Sequence, residues 1–295
     1  MIKLATYISF FLLVVPVWAG GEHGYTYLAL GDSLPFGMNV TLLPPYSDIK
    51  PSPAQFTGYP ESVADIDRLL GMNQLINASC PGETSGSFLV PSTPDNGCNS
   101  PHYQPPAPTI PPFKSTYGLH VSYTGSQMAF AATQLETNKN IKLVTLSIGA
   151  DDILLNLTAL ADCTTTACAD GILTPILQTY GANLATILGN IRALYSGKLI
   201  LLTYYSPSPA LNPVAQALNS AMTAVAAQFP NITIANGYAP FQTASAPFNG
   251  DPCQAGLLVR LPPGPYTVTP CDVHPSPLGR SILSIAVELA ALAAK

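Results

Sequence analysis

The stretch Tyr27-Leu28-Ala29-Leu30-Gly31-Asp32-Ser33-Leu34 decides how this chain is read: an apolar run stops abruptly at a glycine, an acid and a serine. A short apolar run bounded by a turn signal fits a strand buried on both faces. A serine at the carboxyl end of the first such strand stands where open parallel sheets place their sites. The tetrapeptide alone divides evenly between a nucleophile and a serine that caps the following helix.

Working outward, apolar strand candidates recur at 25–30, 74–77, 142–148, 198–204 and 232–236. Between the third and fourth, Leu173, Ile176, Leu177, Tyr180, Leu184, Ile187, Leu188, Ile191 and Leu194 repeat at three- and four-residue steps, a helix that Gly197 is expected to cap. Other helices are expected at 61–70, 125–135, 214–228 and 277–294, the last with Ser276 as cap and Pro277 at its first position. Strands alternating with helices predict an α/β fold with a parallel sheet. Residues 91–118 break the rhythm, with eight prolines, Cys98 and no usable period, and read as an ordered surface excursion.

Residues 1–19 read as a cleaved export signal, with Lys3, an apolar run from Leu4 to Trp18, and small residues before Gly20. The run is too short, and broken by Pro16, for a stable membrane anchor. Residues 20–295 then form a single domain. With 47% hydrophobic and 9% charged residues, the chain is globular and turn-rich; its net charge of −5 provides no basic patch for nucleic acid. Six cysteines in an exported chain suggest three disulfides, the simplest set being Cys80 with Cys98, Cys163 with Cys168, and Cys253 with Cys271. No C-x-x-C pair supports a metal site.

A nucleophilic serine needs a base, and the histidines are His23, His102, His120 and His274. His23 follows the signal, His102 sits in the excursion as a surface residue, and His120 lacks a neighbouring carboxylate in sequence. His274 differs, because Asp272 lies two residues before it, and in an extended segment both side chains share a face. The carboxylate can then hold the imidazole tautomer while the proton leaves Ser33. Gly82, in Cys80-Pro81-Gly82-Glu83-Thr84, can present a backbone N–H to a developing oxyanion, although Pro81-Gly82 also reads as a plain turn. The G-x-S-x-G elbow of the α/β-hydrolases is absent.

Together these blocks resemble the SGNH (GDSL) hydrolases, in particular their secreted, disulfide-containing lipases and esterases, from Tyr27 to the final helix. The resemblance implies a three-layer sandwich: a five-stranded parallel flavodoxin-like sheet, order 2-1-3-4-5, with helices on both faces. It implies a secreted serine hydrolase that cleaves carboxylic esters through an acyl-enzyme. Ser33 would be the nucleophile, His274 its base and Asp272 the orienting acid, with Gly82 and the Ser33 amide in the oxyanion hole. No metal or organic cofactor is implied. The expected partner is a small-molecule or lipid ester, acted on by a monomer.

One departure stands out in Leu146-Ser147-Ile148-Gly149-Ala150-Asp151-Asp152, where Asp151 replaces the family's oxyanion asparagine. An ionised carboxylate roughly 3 Å from an oxyanion repels it by about 5 kcal/mol at an effective dielectric of 20. Keeping an ordinary aspartate protonated at pH 7 costs about 4 kcal/mol, and turning it away forfeits a donor, about 3 to 4 kcal/mol. Burial beside Asp152 would make Asp151 a neutral donor. The expectation is a slow enzyme near neutrality, better at mildly acidic pH, and accelerated by Asp151→Asn. Asp32 and Asp152 read as braces of the loops. The rival functions are a non-catalytic binding protein on the same scaffold and a carbohydrate deacetylase. Four sequons occur, at Asn39, Asn77, Asn156 and Asn231, and Tyr204 and Tyr205 read as pocket rim or as ordinary loop.

Overall fold

The computed structural model of the protein describes residues 24–103 and 107–294, so the expected signal at 1–19 and His23 lie outside the described residues. Strand β1 (Tyr25–Gly31) leads into α1 (Ser33–Phe36) and α2 (Tyr59–Asp67), and β2 (Met72–Asn77) into α3 (Ser85–Leu89), α4 (Phe113–Thr116) and α5 (Gln127–Thr137). Strand β3 (Ile141–Ser147) is followed by α6 (Ala150–Leu154), α7 (Leu157–Ala161) and α8 (Thr166–Leu194). Then come β4 (Lys198–Leu202), α9 (Asn212–Ala226), β5 (Ile232–Ala235), α10 (Tyr238–Ser245), a hairpin of β6 (Leu258–Arg260) and β7 (Cys271–Pro275), and α11 (Pro277–Ala293).

The five main strands order as β2-β1-β3-β4-β5, every pairing parallel. Parallel neighbours need a crossover, and the helices between them supply it. Helix α2 packs against α11, whereas α8 packs against α5 and α9, so the sheet is sandwiched between helices as the resemblance implied. Leu28, Leu30, Val144, Leu146, Ile200, Leu201 and Leu202 are buried on both faces, which is why these runs read as continuous hydrophobic stretches. Each such side chain contributes about 1.5 to 3 kcal/mol on burial.

The expected strands coincide with the observed ones within two residues at each end. Ser276 caps α11, its hydroxyl accepting from Gly279 N at 3.2 Å. Gly197 does not cap α8. That helix ends at Leu194, followed by an extended Tyr195, and Arg192 Nη1 donates to the carbonyls of Tyr195 and Gly197, both at 2.9 Å. A side chain thus ties down carbonyls at and just beyond the helix end, where a left-handed glycine cap was expected. The helix also starts earlier than its apolar pattern, at Thr166, because Thr165 caps it by accepting from Cys168 N.

The cysteines join as 80–98, 163–168 and 253–271. The excursion is ordered where described. Asp95 accepts from Gly97 N, Asn99 N and Ser100 N, His102 bridges Ile110, and Phe113 packs edge-on against Phe36 with centroids 5.1 Å apart. Among the described residues no helix is long and apolar enough to cross a membrane.

Candidate active site

Because β1 lies between β2 and β3, the loops that leave their carboxyl ends are neighbours, and these carry Ser33, Gly82 and Asp151. The turn at Gly31 (φ 133°) admits only glycine comfortably, since a Cβ there would lie 1.9 Å from Ser147 O. Asp32 then caps α1, its Oδ1 accepting from Leu34 N at 3.0 Å, and the Tyr204 hydroxyl donates to Oδ2. Burial pushes Asp32 up to about 7 despite the two bonds it accepts. From Gly31 to Met38, Ser33 alone is not fully buried.

Helix α1 packs against β7, the strand that holds Asp272 and His274. Extended backbone puts the two on one face, as the spacing predicted, and His274 Nδ1 donates to Asp272 Oδ2 at 2.5 Å. Their side chains are 16% and 15% exposed. Burial alone would lower the imidazole pKa, but the Asp272 charge and hydrogen bond, with Asp32 behind them, hold it above the ordinary histidine value. Burial would likewise raise Asp272, and His274 keeps it below the ordinary carboxylate value. Among the described residues Ser33 Oγ makes no hydrogen bond with the ring; such bonds often tighten only around substrate. Tyr204 and Tyr205 are buried braces rather than rim. Tyr205 stacks on Phe241 and donates to Val273 O at 2.6 Å, pinning the carbonyl between the acid and the histidine.

On the other side, Gly82 (φ 80°) has no room for a Cβ, which would fall 2.3 Å from Asn96 O. The amide hydrogens of Ser33 and Gly82 find no acceptor among the described residues. Asp151 is 3% exposed; Asn96 Nδ2 donates to its Oδ1 at 2.8 Å, while Oδ2 has no partner. Burial above all, then the charge of Asp32, raises Asp151 far above the ordinary carboxylate value, and the Asn96 bond only partly opposes this. Asp152 accepts from Ser85 N at 2.8 Å and Ser85 Oγ at 2.5 Å, tying α6 to α3.

His120, without a carboxylate neighbour in sequence, has one in space, Glu61 Oε1 at 4.0 Å, while its Nε2 pairs with Phe36 O at 3.0 Å. His102 is half-buried rather than a surface residue, its Nδ1 lying 2.9 Å from Asn96 Oδ1. Asn77 is consumed by structure, donating to Pro35 O and Glu61 Oε1, both at 2.9 Å. Asn96 escaped the sequence reading altogether, because it lies in the aperiodic segment and only the fold brings it to Gly82 and Asp151.

Solved structures with the same architecture include the lipase Lip_vut3 from a goat rumen metagenome, at 15% identity and TM-score 0.54, covering 90% of this chain and 97% of that one. A GDSL-like lipase from Parabacteroides merdae matches at 14% identity and TM-score 0.52, covering 91% and 95%. The enzyme LAE5 from the metagenome of Lake Arreo matches at 13% and 0.52, covering 92% and 97%. At these identities the likeness concerns the fold. No curated protein matches by sequence. The sequence model of the GDSL-like Lipase/Acylhydrolase family matches residues 29–282, and the chain belongs to that family.

Proposed function

We propose that this protein is a secreted serine esterase acting on a small-molecule or lipid carboxylic ester. Ser33 Oγ attacks the ester carbonyl carbon as its proton passes to His274 Nε2, and Asp272 stabilises the imidazolium. The oxyanion accepts from the amides of Ser33 and Gly82 and from Asp151. His274 returns the proton to the departing alkoxide, leaving an acyl-enzyme. Water, deprotonated by His274, attacks the acyl carbon; the bond from that carbon to Ser33 Oγ breaks, His274 returns the proton to Oγ, and the carboxylic acid departs. The observation that supports this reading is the His274–Asp272 hydrogen bond on a strand, β7, that packs against the helix Ser33 opens.

Asp151 serves as a donor only while protonated, and its burial supports that state near neutrality. His274 serves as a base only while neutral, and its raised pKa moves the acid edge of the working range upward. The gain at mildly acidic pH expected from Asp151 alone therefore gives way to a window bounded below by His274 and above by Asp151. Three disulfides are consistent with an oxidising, extracellular destination. A fluorophosphonate probe and a short p-nitrophenyl ester test the reading. Labelling and hydrolysis are expected to fall by at least about 10⁴-fold in Ser33→Ala; retention of either in that variant overturns it.

A further inference from the structure

We propose that Asn96 and His102, both carried by the proline-rich segment 91–118, are positioning residues for the oxyanion site. They orient Asp151 so that its Oδ2 faces the substrate oxygen. The inference deepens the esterase reading and rests on it.

A neutral carboxylic acid has one oxygen that accepts and one that donates. Asn96 Nδ2 donates to Asp151 Oδ1 at 2.8 Å, which makes Oδ1 the acceptor and leaves the proton to Oδ2, buried and without a partner. The amide can offer its nitrogen in that direction because its oxygen is engaged on the other side, by His102 Nδ1 at 2.9 Å. The chain His102 Nδ1–H to Asn96 Oδ1, Asn96 Nδ2–H to Asp151 Oδ1, with the remaining proton on the buried, unpartnered Asp151 Oδ2, has donors and acceptors that alternate throughout.

The segment is built to hold this chain still. Asn96 N donates to Gly82 O at 2.7 Å, and the Asn96 carbonyl occupies the space that a Cβ on Gly82 would need. Two residues on, Cys98 is tied to Cys80, and one residue back Asp95 closes the turn by accepting from Gly97 N and Ser100 N. Asn96 therefore links two neighbours at once, Gly82 by its backbone and Asp151 by its side chain. The charged groups around Asp151 are Asp32 from the end of β1, Asp152 from its own helix and Asp95 from the segment, all acidic. They favour the neutral acid, and the Asn96 bond is the contact that opposes them.

The test uses the full chain and the rate of p-nitrophenyl acetate hydrolysis against pH, with fluorophosphonate labelling as a control. Asn96→Ala is expected to lower kcat about 10- to 100-fold with KM nearly unchanged, since only the oxyanion contact is misplaced. It should also move the alkaline edge of the profile to higher pH, because the bond that eased ionisation of Asp151 is gone. A merely structural loop would not shift that edge. On the Asp151→Asn background, Asn96→Ala should produce no such shift, as no acid remains to titrate. His102→Ala should reproduce part of the kcat loss, and His102→Asn, whose amide N–H replaces Nδ1–H, should restore it. An unchanged kcat and edge in Asn96→Ala, with labelling intact, would mean that Asn96 does not orient Asp151 toward the substrate oxygen, and this inference alone falls. A wild-type protein that is not labelled and not active removes the esterase reading along with it.

Discussion

Replacing Asp151 by Asn separates charge from shape at the oxyanion site. The amide has the same outline, its oxygen can accept from Asn96 Nδ2 where Oδ1 now does at 2.8 Å, and its nitrogen takes the place of the unpartnered Oδ2. Below the pH at which Asp151 ionises, both residues donate one hydrogen bond, and kcat of the two proteins should agree within about tenfold, or 1.4 kcal/mol. Above it the wild type loses a donor, about 10²- to 10³-fold, and adds a carboxylate charge roughly 3 Å from the oxyanion, a repulsion of about 5 kcal/mol at an effective dielectric of 20. Its rate should then fall about tenfold per pH unit, while Asp151→Asn stays flat and overtakes it. The sign follows from burial, which raises the pKa and so keeps the useful neutral form at low and neutral pH. Hydrolysis of p-nitrophenyl acetate from pH 5 to 10, on both proteins, reads this directly. Superimposable profiles would refute the neutral-acid argument, since an ionisable donor and a non-ionisable one cannot share an alkaline limb.

Other consequences follow from the same contacts. Loss of activity at the acid edge should report His274, whose pKa is held up by Asp272, so Asp272→Asn should lower kcat by about 10⁴-fold, as the wrong tautomer is favoured; a loss below tenfold would be inconsistent with the orienting role. Tyr205→Phe leaves Val273 O without its donor at 2.6 Å, and should destabilise the fold by about 1 kcal/mol, or 2 to 4 °C in Tm, by calorimetry. Glu83, buried and bonded to Gln127, is pushed up to about 8 by its burial. Its contribution to stability is full below its unfolded pKa and lost as pH rises through about 8, so Glu83→Gln should flatten the decline of Tm between pH 5 and 8. Reducing Cys253–Cys271, which spans 18 residues, should cost about 3 kcal/mol in the loop-entropy account and release the strand that carries Asp272 and His274; activity should fall with the melting temperature.

Local chemistry made much of this molecule legible from its residues alone. The buried strands are runs of Leu, Ile and Val that have no other stable use, the spacing of Asp272 and His274 has one meaning in an extended chain, and Ser276-Pro277 is a helix start wherever it occurs in such a context. The tertiary structure decided what depends on partners distant in sequence. Arg192 donates to Asn231 O 39 residues away as well as to the carbonyls beyond its helix end, and Asn96, from a segment without period, reached Asp151 across 55 residues. His102 acquired a polar neighbour that its local sequence does not announce. Periodicity and turn propensity report interactions within a few residues of one another. Hydrogen bonds that close over long loops, and the pKa shifts that burial imposes, exist only once the sheet has brought its loops to one edge.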